Sequence, residues 1–116
     1  KQQKLVIEVD SLKSIEFYTV ADSIRKIIKA VEPSDLLSLN RRYLLDLGYI
    51  TNELLIFLEQ NGVQVAQTQE SVPDVRILHA YKALLAHLSS DYIIEIKVND
   101  PENLDEKSKI SIQNRS

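Results

Sequence analysis

Two segments of the chain alternate apolar and polar residues in the manner of half-buried strands. In residues 4–10 an apolar side chain stands at every second position, and residues 92–98 repeat this arrangement. Because successive side chains of a strand point to opposite faces, each pattern predicts one face against a core and one toward solvent. A third, short strand is predicted at 109–113 around Ile110 and Ile112, joined to the second strand as a loose antiparallel hairpin.

Amphipathic helices are predicted on either side of a long central segment. Residues 14–32 carry apolar side chains three and four positions apart, which indicates a helix that ends before a proline. A capping box at 19–22 offers a later start for the same helix. The cap and proline at 71–74 begin another helix, which ends near residues 89–90.

The central segment, residues 34–60, predicts one long helix with two apolar sides. One side is broad, and the other is a narrower strip that consists of Leu45, Tyr49 and Ile56. A helix that is apolar on two sides needs two neighbours. One neighbour is the core of the domain, and the other is either a further helix of this chain or a second copy of the protein. After this helix, residues 63–69 favour a loop over a short edge strand.

This order of elements predicts an α+β fold. Three amphipathic helices, the middle one long, pack on one face of a small, mostly antiparallel sheet of about three strands. The 116 residues, 44% apolar and 27% charged, suit a single globular domain over 1–116 with a polar tail at 113–116. The first residue is not methionine, which suggests a trimmed product or a domain excerpted from a longer chain.

Composition narrows the possible chemistry. The chain has no Cys, two Gly and a net charge of −3. It therefore has no disulfides, thiolate zinc sites or cysteine nucleophiles, and it cannot form a P-loop or a dinucleotide-binding glycine fingerprint. No apolar run approaches the roughly 18 residues that span a bilayer, and no signal-peptide pattern opens the chain. These features predict no cofactor, no metal, no membrane span and a cytoplasmic location.

Two histidines are the first candidates for chemistry. His79 and His87 lie on the third predicted helix, away from its apolar stripe, and their spacing of eight residues does not suit a metal site. Ordinary solvent-facing histidines are the favoured interpretation, and a small metal-independent enzyme that uses one of them is an alternative. Arg42 and Asp46, four residues apart, are expected to form a surface ion pair.

Five basic residues are the second candidate. The first helix and the start of the long helix carry Arg25, Lys26, Lys29, Arg41 and Arg42. If the two helices form an antiparallel hairpin, these charges gather near one end and offer a small nucleic-acid-binding patch. Binding driven by phosphate neutralisation usually needs a larger positive excess than this acidic chain has, so a solvated helix face is favoured.

The sequence best fits a protein-interaction or regulatory module that is not an enzyme. The expected partner is a second copy, because homodimers are the commonest soluble oligomers. The predicted interface is the strip of Leu45, Tyr49 and Ile56, and its competing interpretation is ordinary core between neighbouring helices. The nucleic-acid regulator and the histidine enzyme remain the alternatives.

Overall fold

The computed structural model describes residues 3–65 and 71–113, which form two strands, six α-helices and one 3₁₀ turn. In chain order these are β1 (Gln3–Val9), α1 (Tyr18–Ala30), α2 (Pro33–Leu37), α3 (Arg41–Gly48), α4 (Asn52–Gln60), α5 (Asp74–Leu88), β2 (Tyr92–Val98), the 3₁₀ turn (Pro101–Asn103) and α6 (Glu106–Gln113). The two alternating strands and the helix after residues 71–74 are confirmed. The arrangement of three helices on a mostly antiparallel, three-stranded sheet is wrong.

The sheet consists of β1 and β2, which run parallel and in register from Gln3 opposite Tyr92 to Val9 opposite Val98. Parallel strands need a long crossover connection, and here the helices from α1 to α5 supply it. The inward residues of β1, Leu5, Ile7 and Val9, are buried against α1. Alternation along each strand predicts this face, but it carries no information about strand direction.

The predicted third strand is the helix α6. Asp105 begins it, because the Oδ2 atom accepts a hydrogen bond from the backbone N–H of Ser108 at 3.0 Å. The buried row of this helix is polar and consists of Ser108 and Ser111, whereas Ile110 is exposed. An apolar pattern therefore points away from the true packing face, which explains the error. Of the predicted polar tail at 113–116, Gln113 ends α6 and the other residues lie outside the described ones.

The predicted long helix is divided into α2, α3 and α4. Asn40 separates the first two, because its side chain accepts a hydrogen bond from the N–H of Arg42 at 2.9 Å and so caps α3. Thr51 separates the second and third with an extended backbone at φ −143°. The two breaks redirect the chain, so that Leu36, Leu47 and Leu58 all reach one core.

The first helix begins at Tyr18, between the two predicted starts, and ends at Ala30. Its inner face joins α4 and α5 in the centre of the domain. The core residues of these three helices include Val20, Ile24, Ile27, Leu54, Leu58, Ile77, Tyr81, Leu84 and Leu88. The Tyr81 hydroxyl lies 2.8 Å from the Ser23 hydroxyl, which gives both buried polar groups a partner. Residues 63–65 have no regular structure, and 66–70 lie outside the described residues.

Gly48 lies where α3 and α4 approach closely. A Cβ atom at this position would collide with the side chain of Leu55. We expect Gly48→Ala to lower the free energy of unfolding by about 1 kcal/mol, because the overpacking outweighs the gain in helix propensity. Urea denaturation of Gly48→Ala, Leu55→Ala and the double variant measures this. The double variant should lose less stability than the sum of the singles, and strict additivity would contradict the collision.

Candidate functional site

The outer edge of β2 carries backbone groups that no other strand pairs. At the two ends of the ladder, Gln3 N–H donates to the Asp91 carbonyl at 3.0 Å and Asn99 N–H donates to the Val9 carbonyl at 2.8 Å. Backbone N–H and carbonyl groups alternate sides along a strand. These two hydrogen bonds therefore mean that the backbone groups of Ile93, Glu95 and Lys97 point toward β1. The backbone groups of the residues between them point away from β1, toward the outer edge of β2.

Those outward residues are Tyr92, Ile94, Ile96 and Val98. Among residues 3–65 and 71–113, the backbone N–H and carbonyl groups of Ile94, Ile96 and Val98 have no hydrogen-bond partner on this side. Water can satisfy such an edge, and so can another strand. The edge therefore has the geometry that accepts an additional extended segment.

The carboxyl-terminal end of the outer β1 edge is covered, in contrast. The Asp22 Oδ2 atom accepts the Asp10 N–H at 2.8 Å, and the Thr19 hydroxyl donates to the Asp10 carbonyl at 2.9 Å. The Lys26 ammonium donates to the Glu8 carbonyl at 3.0 Å. Side chains of α1 thus occupy this end of the edge, which hinders strand pairing there. The outward backbone groups of Lys4 and Val6 have no partner among the described contacts.

An apolar flank lies beneath the open edge. Ile94, Ile96 and Val98 are only half-buried, although the β1 residues opposite them are buried. Beside them, a groove of about 290 Å³ runs between α5 and β2 and is lined by Leu85, Ala86, Ser89, Tyr92 and Ile94. An added strand would cover this apolar surface as well as the backbone groups.

The opposite face of the sheet is exposed and mixed in charge. Glu95 and Lys97 stand there on β2, and Lys4 and Glu8 stand on β1. The Lys4 Nζ atom lies 3.7 Å from the Glu95 Oε2 atom. Glu8 is opposite Lys97 in the register, so charges of opposite sign already neighbour each other across β1 and β2.

The predicted interface residues do not share one helix. Leu45 on α3 is half-buried and packs against the core. Tyr49, in the turn after α3, is 54% exposed, and Ile56 on α4 is 46% exposed. The premise of a single helical strip is wrong, because the break at Thr51 separates Leu45 and Tyr49 from Ile56. A protein interface that uses these residues remains a prediction.

The predicted basic patch is divided among different elements. Arg25 and Lys26 both contact Asp22, at 2.8 and 3.1 Å, and are therefore partly neutralised. Burial raises the pKa of Asp22, but the hydrogen bonds from Asp10, Lys26 and Arg25 outweigh burial and hold that pKa below its ordinary value.

The remaining three basic residues do not lie on the two-helix hairpin that the sequence predicted. Lys29 is exposed at the end of α1, while Arg41 and Arg42 are exposed on α3. The short helix α2 intervenes between these elements, and α3 packs mainly against α4 and α5. Nucleic-acid binding through the five residues remains an untested prediction.

Asp46 pairs with a residue that the sequence did not single out. It is buried and accepts hydrogen bonds from Arg76, at 2.6 Å from Nη2 and 3.4 Å from Nε. The expected surface pair with Arg42 is therefore wrong. Arg42 instead lines an open cleft of about 280 Å³ together with Tyr43, Arg76 and His79.

This cleft contains the one of the two histidines that is exposed. The ring centroids of His79 and Tyr43 are 5.7 Å apart at an angle of 41°. Arg76 engages both carboxylate oxygens of Asp46, so that carboxylate acts as a buried counter-ion, and no hydrogen bond from it to His79 is among the described contacts. The arrangement lacks the base–orienter hydrogen bond of a nucleophilic catalytic triad among the described contacts.

His87 has a structural role that spacing did not reveal. Its Nε2 atom lies 2.8 Å from the Ser38 hydroxyl and 3.0 Å from the Asp35 carbonyl, and its side chain is half-buried. The expectation of a solvent-facing histidine is wrong for this residue. These contacts tie α5 to α2 across about fifty residues of sequence, a separation at which local spacing is uninformative.

The tyrosine at the start of β2 is anchored to the same region. The Tyr92 hydroxyl donates to the Asp35 Oδ2 atom at 2.6 Å and accepts the Glu32 N–H at 3.2 Å. The hydrogen bond to Asp35 raises the pKa of Tyr92 above its ordinary value. This anchor fixes one end of β2 and thereby the position of its open edge.

Other classes of site are not supported within the described residues. No group of three or more His, Asp or Glu side chains there could hold a metal ion. No helix in residues 3–65 and 71–113 has both the length and the apolarity to cross a bilayer. Comparisons of the chain with protein-family models, with curated proteins and with solved structures find no match.

Proposed function

We propose that this domain is a protein-interaction module that binds an extended protein segment as an additional strand along the outer edge of β2. The observation that carries the proposal is the contrast between the two edges of the sheet. Asp22, Thr19 and Lys26 cover the carboxyl-terminal end of the β1 edge, around Glu8 and Asp10, while the outward groups of β2 have no described partner along the strand. Binding proteins that accept an added strand use main-chain hydrogen bonds for affinity and alternate side chains for specificity.

The apolar flank supports the same function. Ile94, Ile96 and Val98 alternate along the inner face, so every second side chain of the added strand would pack beside them. The groove next to Ile94 would take one of these side chains. The composition of the flank favours a segment with apolar residues at every second position.

Replacing Ile96 by proline tests the proposal. The Ile96 N–H faces away from β1, so the substitution removes an outward donor without removing a ladder hydrogen bond. Peptides as long as β2, seven residues, are selected from a displayed library against the wild-type domain and then titrated against Ile96→Pro. We expect binding to Ile96→Pro to be weaker by about tenfold or more, because one central hydrogen bond is lost and the peptide carbonyl that accepted it is left unpaired.

The matched control is Ile96→Ala, which shortens the same side chain but keeps the N–H group. Peptides that add to the edge should bind this variant better than Ile96→Pro. In the wild-type domain they should slow amide hydrogen exchange at Ile94, Ile96 and Val98. Circular dichroism checks that both variants fold. Selected peptides that bind Ile96→Pro as tightly as wild type, or that leave exchange at these amides unchanged, would refute the proposal.

A further inference from the structure

We infer that the partner at this edge is a second copy of the chain, whose β2 pairs antiparallel with β2 about a twofold axis at Ile96. The inference rests on the proposed function, because it names the occupant of the same edge. The two sheets, of two strands each, would join into one continuous sheet with both β2 strands in the centre. Such a contact is isologous, since each copy offers the same surface.

The hydrogen-bond phase permits this pairing. In an antiparallel pair, residues that exchange both backbone hydrogen bonds must direct their N–H and carbonyl groups toward each other. Around an axis at Ile96, Ile96 pairs with its own equivalent and Ile94 pairs with Val98 of the second copy. All of these residues have outward-facing groups, so about six backbone hydrogen bonds form without rearrangement of β2.

The charges on the exposed face select this register. With the axis at Ile96, Glu95 of each copy stands opposite Lys97 of the other, which gives two pairs of opposite charge. These are non-hydrogen-bonded pairs, in which the side chains lie closest. Glu8 is already opposite Lys97 within one copy, so the sign alternates from Glu8 to Lys97 to Glu95 across the joined sheet.

Neighbouring registers are less favourable. An axis at Glu95 places Glu95 against its own equivalent, and an axis at Lys97 does the same for Lys97. Like charges directly opposite each other destabilise a strand pair. An axis at Ile94 gives Glu95 the apolar partner Ile93. The register at Ile96 is therefore the one that pairs both charged residues of β2 with opposite charges.

The apolar flank also becomes covered in this arrangement. On the inner face, Ile94 meets Val98 of the second copy and Ile96 meets Ile96, so apolar residues contact apolar residues at three successive pairs. Val98 of the second copy then lies at the groove that Ile94, Tyr92 and Leu85 line. The half-buried side chains of both copies thus lose their remaining exposure to water.

The absence of cysteine from the chain allows a direct test of the register. Ile96→Cys places two thiols opposite each other, with Cα atoms about 5.5 Å apart, inside the range that a disulfide bridges. Ile94→Cys is the matched control, because the two substituted positions stand four residues apart along the strands, about 14 Å. Mild oxidation followed by non-reducing electrophoresis should give a linked dimer with Ile96→Cys and very little with Ile94→Cys. Equal linkage of both variants, or linkage of Ile94→Cys alone, would overturn the register.

Charge reversal tests the same contact without a covalent bond. Lys97→Glu and Glu95→Lys each create two like-charge pairs in the homodimer, so each should raise its dissociation constant by about tenfold or more. An equimolar mixture should recover a heterodimer, because both of its pairs then have opposite signs. Lys29→Glu reverses an exposed charge on α1 that contacts neither Glu95 nor Lys97 among the described interactions, and it should leave dimerisation unchanged. Sedimentation velocity over a roughly hundredfold concentration range measures all four samples. Failure of the mixture to recover the dimer would contradict the inference.

Two further results separate this inference from the proposed function. If wild type is monomeric throughout and its amides at Ile94, Ile96 and Val98 exchange rapidly, the second copy is excluded while the open edge stands. If wild type is monomeric and these amides are protected, the edge is covered within the chain and both proposals fail. A dimer that Tyr49→Glu with Ile56→Glu dissociates, and that the β2 variants do not, would also overturn the inference.

Discussion

Replacing Asp105 by alanine is expected to lower the free energy of unfolding by about 3 kcal/mol. Asp105 is 2% exposed, and its Oδ2 atom accepts the Phe17 N–H at 2.6 Å and the Ser108 N–H at 3.0 Å. Alanine would leave both buried donors unpaired, and each such donor costs about 1–3 kcal/mol. Urea denaturation followed by circular dichroism measures the difference.

The location of Asp105 explains why a single carboxylate has this effect. Phe17 has a left-handed backbone at φ 59°, which a residue other than glycine adopts only when its surroundings hold it there. Ser108, one turn along α6, accepts the Val20 N–H at 3.1 Å through its hydroxyl. The start of α1 is therefore capped by α6, a segment 88 residues away in sequence.

Two variants of α6 serve as controls. Asp105→Asn keeps a carbonyl oxygen that can take the place of Oδ2 and accept both N–H groups, so its loss of stability should be smaller than that of Asp105→Ala. Ser111 is also buried in α6, but its hydroxyl donates only to the Lys107 carbonyl of the same helix among the described contacts. Ser111→Ala should cost about 1 kcal/mol or less. If Asp105→Ala is no more destabilising than Ser111→Ala, the capping role is wrong.

Local signals explain which elements the sequence predicts correctly. β1 and β2 each alternate over seven residues, and α5 follows a proline at its start. None of these three elements needs distant partners to be identified. The prediction of one long central helix is wrong because Asn40 caps α3 and Thr51 takes an extended backbone. These residues interrupt the helix although the apolar pattern continues across them. The prediction of a strand at 109–113 is wrong because the buried side chains of α6, Ser108 and Ser111, are polar.

The candidate site depends on information that alternation does not contain. Alternation places Ile94, Ile96 and Val98 on the inner face whether the strands are parallel or antiparallel. Which backbone groups remain open depends on the direction of β2, on its register with β1 and on what α1 covers. The contacts of Lys26 with Glu8 and Asp22 are settled by packing between α1 and β1, so sequence spacing could not show that one edge is protected.

Replacing Asp22 by alanine is expected to lower the free energy of unfolding by about 2–3 kcal/mol. Asp22 is 5% exposed and accepts hydrogen bonds from the Asp10 N–H at 2.8 Å, from Arg25 at 2.8 Å and from Lys26 at 3.1 Å. The substitution leaves one backbone donor and two cations without this partner. Both cations retain partial access to water, which keeps the cost below that of a fully buried pair.

The acid dependence of stability identifies the charge on Asp22 as the cause. The pKa of Asp22 is lower in the folded protein than its ordinary value of 3.8. A lowered pKa means that the contribution of Asp22 is fully present above the unfolded pKa and is lost as the pH falls through the folded pKa. The difference in stability between wild type and Asp22→Asn should therefore be largest near neutral pH and should shrink below about pH 4.

The same substitution tests how the edge of β1 is protected. Without Asp22, the Asp10 N–H loses its acceptor and Lys26 loses the carboxylate that holds its ammonium near the Glu8 carbonyl. Under native conditions we therefore expect faster hydrogen exchange at Asp10 in Asp22→Ala, with exchange at Leu5 and Ile7, which bond to β2, changed only by the global loss of stability. Unchanged exchange at Asp10 would show that Asp22 does not guard this edge. If exchange at Asp10 rises as expected, side chains of α1 protect the carboxyl-terminal end of the β1 edge, a protection that the outer edge of β2 lacks among the described contacts.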